Sequence, residues 1–320
     1  MANQALNQVK TWDKLADSIP WRILRFPLEK DPRWSAFNPS VAFSEELGYW
    51  VLFRSSNYFL DPKTTSAVLT TNENRVKTRL WLGKLDDNLD SIVPNSLIEL
   101  DYSSAGIEFK RGPEDGRLYW TKDGWEFTAG LHEPSVPLPR IGRFRVEKSS
   151  VKLLKIYDSG SLYDVEKNWM GTSDGSGDFS YIYNPVSIYV DDHGPVRVRD
   201  VSPHLMDVRG GTQLVPIGDD SYIAVIHEAI ITDVYMYLPR YFSYRTVKVR
   251  NYIHKFARYS SSGKLIGLSE PFSFTGARIE FAAGLVIKNE EVYISYGHQD
   301  VASYMAKIKL KKVMELIKNV

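Results

Sequence analysis

The chain has 320 residues, with 40 Lys and Arg against 39 Asp and Glu, a hydrophobic fraction of 43% and no Cys. This composition is that of a globular protein. It excludes disulfides, thiolate metal sites and thiol nucleophiles, and the balanced charge argues against a nucleic-acid interface. No apolar run approaches the ~20 residues of a membrane span. Met1–Lys14 lacks the apolar core of a secretory signal, so we predict a cytoplasmic protein.

Helical patterns occur only at the two ends of the chain. Residues 4–17 are compatible with a short helix, and the segment from Lys309 to Asn319 places apolar side chains at helical spacing. Between these ends, short apolar runs alternate with polar residues and are separated by turn-forming Gly, Asp, Asn and Ser. The runs are Tyr49–Phe53, Arg117–Trp120, Gly124–Thr128, Phe179–Tyr183, Ser221–Ile226 and Val292–Tyr296. Their many β-branched and aromatic residues predict an all-β chain built from hairpins.

Many short strands in one long domain favour a propeller, and a weak internal repetition supports it. The repeated openings lie near Asn38, Asp115, Lys167, Gly210 and Phe281. They give about five units, although their spacing alone leaves six blades and a β-sandwich open. We predict an N-terminal, helical extension over residues 1–20, a propeller domain over 21–308 and a C-terminal helix over 309–320. Both ends are candidate contacts in a homo-oligomer.

The most informative motif is Arg111-Gly112-Pro113-Glu114-Asp115-Gly116-Arg117-Leu118, which places two carboxylates just before a strand. Because side chains alternate along an extended segment, Asp115 and Arg117 should face the same side, where the guanidinium favours the charged carboxylate. A carboxyl that donates protons needs the opposite influence, from burial or from a substrate hydroxyl. The alternative interpretation is a surface turn with a salt bridge.

Other polar motifs lie along the rest of the chain. Asn38-Pro39 is followed by Arg54 at the end of the next strand, and both side-chain types hydrogen-bond vicinal sugar hydroxyls; the alternative is an Asn-Pro turn with a rim Arg. The remaining motifs are Glu166–Trp169, Tyr183–Pro185, Arg209–Pro216, Val225–Glu228 and Ile294–Asp300. Each of them alone is equally a turn, a capped strand or a satisfied core residue. The six His are scattered without metal-ligand spacing, so we expect no metal site.

Taken in order, these motifs resemble glycoside hydrolase family 130, a five-bladed β-propeller family of mannoside phosphorylases and related hydrolases. The resemblance covers about residues 36–308. The family's first-blade Asn-Pro and following Arg are similar to Asn38-Pro39 and Arg54. Its Glu-Asp-Pro-Arg signature is similar to Glu114-Asp115-Gly116-Arg117, and its late Tyr-Gly-x-x-Asp to Tyr296-Gly297-His298-Gln299-Asp300. The resemblance therefore implies a five-bladed propeller.

In that family the signature Asp is the general acid of an inverting reaction, which implies this role for Asp115. The resemblance also implies sugar contacts from Asn38, Arg54, Arg117, Tyr296 and Asp300. It implies anion contacts from Lys167, Asn184, Arg209, His227 and Tyr235, or Tyr237 in place of Tyr235. Lys167 and Asn184 stand where the family has Arg, which puts phosphorolysis in doubt. Gly116 replaces the signature Pro, a change expected to loosen the turn beside the acid.

The sequence thus predicts a carbohydrate-active enzyme that cleaves or transfers a glycosidic bond on a mannoside-like oligosaccharide. The expected mechanism is inverting, by phosphorolysis or hydrolysis, with no cofactor and with inorganic phosphate as the candidate co-substrate. The aromatic residues expected to line a sugar cleft are Tyr119, Trp120, Trp169, Tyr235 and Tyr296. A non-catalytic carbohydrate-binding propeller, a mannosyltransferase of a related propeller family and a protein-interaction scaffold remain open as alternatives.

Overall fold

The structure is a computed structural model. It describes residues 9–16, 18–23, 33–133, 136, 140–157, 168–173, 179–183, 186–190, 198–201, 208–238 and 243–320. Strands dominate these residues and only two short helices occur, so the prediction of a mainly β chain is confirmed. In the described part of the chain, no helix has the length and apolar character needed to cross a membrane.

The N-terminal segment contributes one strand to each of two sheets whose other strands come from the second half of the chain. Its elements are β1 (Lys10–Thr11), α1 (Trp12–Ala16) and β2 (Trp21–Arg22). The helix is shorter than the expected 4–17, of which residues 4–8 and 17 lie outside the described part. Trp12 is fully buried and packs against Phe272 and Phe274, with ring centroids 5.5 and 5.2 Å away. This burial of a large aromatic side chain anchors the segment.

Sheet 1 follows directly, and a small separate hairpin interrupts it. The elements are β3 (Ser35–Ser44), β4 (Gly48–Ser56), β5 (Tyr58–Leu60), β6 (Ala67–Leu69), β7 (Thr78–Lys84) and β8 (Ile98–Glu99). Strands β3, β4, β7 and β8 are antiparallel neighbours in that order, while β5 and β6 pair only with each other. Gly48 begins β4 with a φ of 78°, the left-handed conformation that a tight hairpin turn requires.

Sheets 2 and 3 are four-stranded antiparallel meanders. Their strands are β9 (Glu114–Thr121), β10 (Gly124–Leu131), β11 (Arg140–Glu147), β12 (Ser150–Tyr157), β13 (Met170–Gly171), β14 (Phe179–Tyr183), β15 (Val186–Val190) and β16 (Val198–Val201). In each sheet the strands are neighbours in chain order. The charged Glu126 is fully buried in sheet 2 because Arg143 and Arg145 bind it, at 2.6 and 2.8 Å. A buried carboxylate needs such partners.

Sheet 4 contains the longest strands of the chain. Its elements are β17 (Val208–Arg209), β18 (Val215–Pro216), β19 (Ser221–Leu238), β20 (Ser243–Ser260), β21 (Leu265–Ser269) and β22 (Phe272–Ser273). The spatial order is β1-β22-β20-β19-β17, with β18 also on β19 and β21 also on β20. Strands β19 and β20 have 18 residues each, against eight in β9 to β12. Their far halves, residues 230–238 and 243–251, are called the arm below.

Sheet 5 combines the end of the chain with its beginning. Its strands are β23 (Glu280–Lys288), β24 (Glu291–His298) and β25 (Ala302–Lys309), and they are followed by α2 (Leu310–Leu316) and β26 (Ile317–Asn319). Strand β2 from the N-terminal segment is the fourth strand and lies beside β25. The segment 309–320, expected as a helix, is helical only in α2, because the chain then pairs as β26 with β21.

Polar side chains join the first strands of several sheets at a common buried centre. Gln213 donates to the Val41 carbonyl at 2.6 Å and accepts from the Leu285 amide at 3.1 Å, which links sheet 1 to sheet 5. Ser40 accepts from the Leu118 amide at 2.9 Å, which links sheet 1 to sheet 2. Such buried polar groups are paired, and each pair fixes one sheet relative to the next.

Candidate active site

Several polar residues in strained backbone conformations surround one cavity. Asn38, Asp115, Asn168 and Asp300 have φ values of 49°, 51°, 60° and 53°, in the left-handed region that Asn and Asp tolerate better than most residues. All four line a cavity of about 670 Å³. Asn38 occupies the irregularity where β3 breaks register with β4, and Asp115 lies near the start of β9. Strain that clusters in this way marks functional sites.

Asp115 lies on this cavity and is held from two sides. Its Oδ1 accepts hydrogen bonds from the amide of Asn38 at 2.8 Å and from the guanidinium of Arg54 at 2.9 Å. Burial by itself raises the pKa of Asp115, but the charges of Arg54 and Arg117 and the hydrogen bond from Asn38 outweigh it and hold that pKa well below its ordinary value. The carboxylate is therefore ionised in the empty site.

Arg54 is almost completely buried and contacts both carboxylates of the signature. Besides Asp115, it lies 3.5 Å from Glu114, and its guanidinium stacks 5.2 Å from the ring centroid of Phe37. Although burial lowers its pKa, the neighbouring Tyr58 and the carboxylates Asp115, Glu114 and Asp300 raise the pKa well above its ordinary value. Arg54 is thus a permanent positive charge in the cavity wall.

Asp300 lies on the same cavity but has the opposite electrostatic character. Its Oδ2 accepts a hydrogen bond from the hydroxyl of Tyr58 at 2.8 Å. Burial raises its pKa to about 6, and Asp115 and Glu114 add to the rise, while Arg54 and Tyr58 oppose it. The two aspartates therefore differ widely in proton affinity, an arrangement typical of catalytic carboxylates.

Arg117 does not line the cavity. Its side chain is 2% exposed and donates to the backbone carbonyl of Asp115, to the Gly211 carbonyl at 3.0 Å and to Asn168 Oδ1 at 3.0 Å. Burial lowers its pKa to about 10. As expected, the charge of Arg117 lowers the pKa of Asp115, but the hydrogen bonds of its side chain go to main-chain carbonyls and to Asn168 instead of the Asp115 carboxylate. Arg117 positions Asp115 and Asn168 from behind.

Gly116 lies in a tightly packed position, although we expected the replacement of Pro by Gly to loosen the turn here. A Cβ atom at this position would lie 2.5 Å from Leu52 Cδ2 and 3.4 Å from Leu80 Cδ1. Because β9 packs this closely against sheet 1, a larger residue here requires Leu52 to move. Leu52 and Leu80 occupy the space that a Pro side chain at position 116 would need.

The remaining sugar-binding and aromatic candidates lie mostly in the core. Tyr296 is fully buried and stacks on Phe274 with centroids 4.0 Å apart, away from the cavity lining. Tyr119 and Trp169 are 0% and 2% exposed, so they do not line a cleft. Tyr235 is 77% exposed on the arm. Proximity to a polar motif in the sequence therefore does not show whether an aromatic residue is buried in the core or lines the cavity.

None of the candidate anion-binding residues that the structure describes, Arg209, His227 and Tyr235, lines the cavity. Lys167 and Asn184 lie outside the described residues. His227 is 4% exposed and lies behind Tyr252 and Phe281, and burial, with His254 beside it, lowers its pKa to about 3. The Arg209 guanidinium donates to the Val208 carbonyl at 2.8 Å. The roles assigned to these residues stay predictions.

The cavity also contains residues that sequence reasoning missed. The missed lining residues include Tyr58, the tip of the β5–β6 hairpin, Lys248, Arg250 and Tyr252. Among these residues, only Tyr58 lies close in sequence to a predicted site residue, since it follows the strand that carries Arg54. The others are brought in by the arm and by long-range packing. The part of the chain that the structure describes holds no cluster of three His, Asp or Glu side chains placed to bind a metal ion.

Several solved structures share this fold over nearly the whole chain. The β-1,2-mannobiose phosphorylase of Listeria innocua has a TM-score of 0.60 at 10% identity, over 91% of this chain and 94% of that one. A mannose phosphorylase of Leishmania mexicana, solved with phosphate ion, has a TM-score of 0.56 at 10% identity, over 95% and 92%.

A third structure names the family directly. It comes from work on glycoside hydrolases of the GH130 mannoside phosphorylase family that target β-1,2 mannosidic linkages in Candida mannan, and it has a TM-score of 0.55 at 13% identity, over 87% and 85%. No family model matches the chain, and no curated protein does. The resemblance to family 130 is therefore confirmed at the level of the fold.

Proposed function

We propose that this chain is a carbohydrate-active enzyme that cleaves or transfers a glycosidic bond on a mannoside-like oligosaccharide. The observation that carries the proposal is the position of Asp115, fixed by Asn38 and Arg54 on a cavity that also contains Asp300. These residues come from three sheets, and they match the ordered motifs by which the sequence resembles family 130. The shared fold supports the same assignment.

The architecture we propose is a five-bladed β-propeller, with each of the five sheets as one blade. The sheets follow one another along the chain, and β2 completes the last of them from the beginning of the chain. The first strands of sheets 1, 2 and 5 are joined at the buried polar centre around Gln213 and Ser40. Propellers close in this way and bind ligands near the axis.

In the proposed mechanism, Asp115 delivers a proton to the leaving glycosidic oxygen while a nucleophile attacks the opposite face of the ring. Without substrate Asp115 is ionised, so substrate binding must raise the pKa of this carboxyl by excluding water, and Asp115 then takes up a proton from solvent. The protonated carboxyl donates this proton to a sugar hydroxyl, which passes its own proton to the leaving glycosidic oxygen. Arg54 then stabilises the carboxylate that is left after the transfer.

The nucleophile distinguishes the two versions of the reaction. In phosphorolysis it is inorganic phosphate, and no second protein carboxylate is needed. In hydrolysis a base must activate water. Asp300 is our candidate base, because its carboxyl is mostly ionised above a pH of about 6 and still has high proton affinity.

The test is an activity assay on a panel of mannosides with and without phosphate. Release of a sugar 1-phosphate indicates phosphorolysis, and release of free sugar alone indicates hydrolysis. The Asp115→Asn variant should lose at least about a thousandfold in turnover while binding is retained. Asp90→Asn, at an exposed position, is the matched control. If Asp115→Asn turns substrate over as the wild type does, the proposal is wrong; if the wild type binds sugars without turnover, the non-catalytic alternative applies.

A further inference from the structure

The arm extends one wall of the cavity well beyond the body of sheet 4. In the β19–β20 pairing, Ile231 is opposite Arg250 and Ala229 is opposite Tyr252. Residues directly opposite each other project to the same face, as do residues two apart along one strand. Ile231, Lys248, Arg250 and Tyr252 therefore share one face of the hairpin, and all four line the cavity. This face is the cavity's outer wall.

The base of the arm is held in position by hydrogen bonds to the β5–β6 hairpin and to Arg278. The Arg250 amide donates to Thr65 Oγ1 of the β5–β6 hairpin at 3.3 Å, and the Tyr252 amide donates to the Arg278 carbonyl at 2.7 Å. The Arg278 guanidinium in turn donates to the carbonyls of Pro62 and Lys63, each at 3.2 Å. These hydrogen bonds connect the arm, Arg278 and the β5–β6 hairpin. The arm residues that line the cavity are therefore held in fixed positions.

Three cationic side chains line the cavity: Lys248 and Arg250 on the arm, and Arg111 on the segment just before β9. Arg111, Lys248 and Arg250 are all exposed, and within the described residues none of them has a side-chain hydrogen bond or an ion pair. Asp233 is opposite Lys248 in the strand register but forms no ion pair with it among the described residues. An anion that enters the cavity therefore meets positive charge that no carboxylate has neutralised.

The acidic groups of the cavity are occupied by other partners. Arg54 binds Asp115 at 2.9 Å and Glu114 at 3.5 Å, and Tyr58 donates to Asp300. These carboxylates come from β9 and from the loop after β24, whereas Lys248 and Arg250 come from the arm. The cavity thus has a carboxylate side suited to sugar hydroxyls and a cationic side suited to an anion.

We propose that Arg111, Lys248 and Arg250 form a binding site for a phosphate group, either free or esterified to a sugar. The inference rests on the proposed function, since it assigns the sugar to Asp115 and the phosphate group to the three unpaired cations of the same cavity. Two guanidinium groups offer planar pairs of donors to phosphate oxygens, and the lysine adds a point charge. The substrate class then includes phosphorylated sugars or a reaction that uses phosphate.

Titration calorimetry at low and moderate salt tests this site with three probes: mannose, mannose 6-phosphate and inorganic phosphate. We expect at least one phosphate probe to bind at least tenfold more tightly than mannose, with an affinity that falls as salt is added. If mannose 6-phosphate alone does so, the group is esterified to the sugar. If inorganic phosphate binds equally well, the free ion occupies the site.

The variants Lys248→Gln and Arg250→Gln should each weaken phosphate binding at least fivefold. Lys264→Gln, an exposed lysine at the opposite end of the same hairpin, should bind as the wild type does. All three positions are exposed, so the variants should unfold at nearly the wild-type temperature. The proposal is overturned if neither phosphate probe binds, or if binding is unchanged in both Lys248→Gln and Arg250→Gln.

The outcome is independent of turnover. Asp115→Asn should bind inorganic phosphate as the wild type does, because the proposed phosphate site consists of Arg111, Lys248 and Arg250 and does not include Asp115. If no glycoside is cleaved under any condition but phosphate binding depends on Lys248 and Arg250, the proposed enzyme function fails and the phosphate site stands. If cleavage occurs but Lys248→Gln and Arg250→Gln bind phosphate as the wild type does, the enzyme function stands and the proposed phosphate site is wrong.

Discussion

Arg54 donates to Asp115 at 2.9 Å while its second terminal nitrogen lies 3.5 Å from the preceding carboxylate of Glu114. One buried guanidinium thus holds both acidic residues of the signature. Side chains alternate along a strand, so two consecutive carboxylates reach one cation only because Asp115 adopts a φ of 51°. The left-handed conformation of Asp115 and the burial of Arg54 depend on each other.

Replacing Arg54 by Met should therefore destabilise the protein and not only impair the site. Two carboxylates would remain without their cation, and the loss of one partner from a buried ion pair costs about 3–5 kcal/mol, toward the lower end here because both carboxylates keep some exposure. Urea unfolding at pH 7 measures the change. Arg54→Lys keeps the charge but cannot contact both carboxylates as a fork, so it should retain more stability than activity. Equal stability of wild type and Arg54→Met contradicts this interpretation.

Gly297 provides a second test of how Asn38 is placed. A Cβ at position 297 would overlap Asn38 Oδ1 and lie 2.7 Å from the Asn38 backbone nitrogen. Gly297→Ala should therefore displace Asn38 from Asp115 and reduce turnover at least tenfold. The matched control is Gly130→Ala, since a Cβ there has no neighbour closer than 3.7 Å. If both variants have wild-type activity, Asn38 does not position Asp115.

The raised pKa of Asp300 predicts a pH dependence of stability. The folded protein binds this proton up to a pH of about 6, whereas an unfolded Asp releases it near 4, so the charged form is disfavoured in the fold. As pH rises from about 4 to about 7, the wild type should lose up to about 3 kcal/mol relative to Asp300→Asn. Thermal unfolding of both proteins at pH 4.5 and 7.5 measures this difference, and parallel curves would refute it.

The buried pair of His227 and His254 predicts the opposite trend. Burial lowers both pKa values to about 3, so both rings stay neutral in the fold while an unfolded histidine gains a proton near 6.5. The stability they contribute is complete above about pH 6.5 and falls as pH decreases, by about 2 kcal/mol per histidine at pH 5. His254→Gln should reduce the slope of stability against pH between 7 and 5. An unchanged slope would mean that the rings do not titrate in this way.

The sequence predicted the β class because strand signals are local: alternation, β-branched residues and turns lie within a few neighbours of each other. It also predicted that Asn38, Arg54, Asp115 and Asp300 belong to one site, on the strength of ordered motifs. The structure brings these four residues to one cavity. Their spacing along the chain contains no information about distance in space, so the family resemblance carried that inference.

The misplaced residues share a physical reason. Tyr296 and His227 belong to polar or aromatic motifs, yet both face the interior, because the two faces of a strand in a packed sheet are hard to distinguish when both are buried. Arg250 and Lys248 were missed for the converse reason. Both lie on β20, which is about twice as long as the strands of sheet 2, and nothing local indicated that β19 and β20 pair along their full 18 residues.

The pairing of β2 with β25 has a consequence for how the molecule forms during synthesis. Trp21 and Arg22 are opposite Met305 and Tyr304, so the fourth strand of sheet 5 is synthesised about 280 residues before the strand beside it. Lys10 and Thr11 likewise pair with Phe272 and Ser273. Strands β1 and β2 must therefore remain without their β partners during synthesis until the segments that contain β22 and β25 have left the ribosome. Sheets 4 and 5 can be completed only after that point.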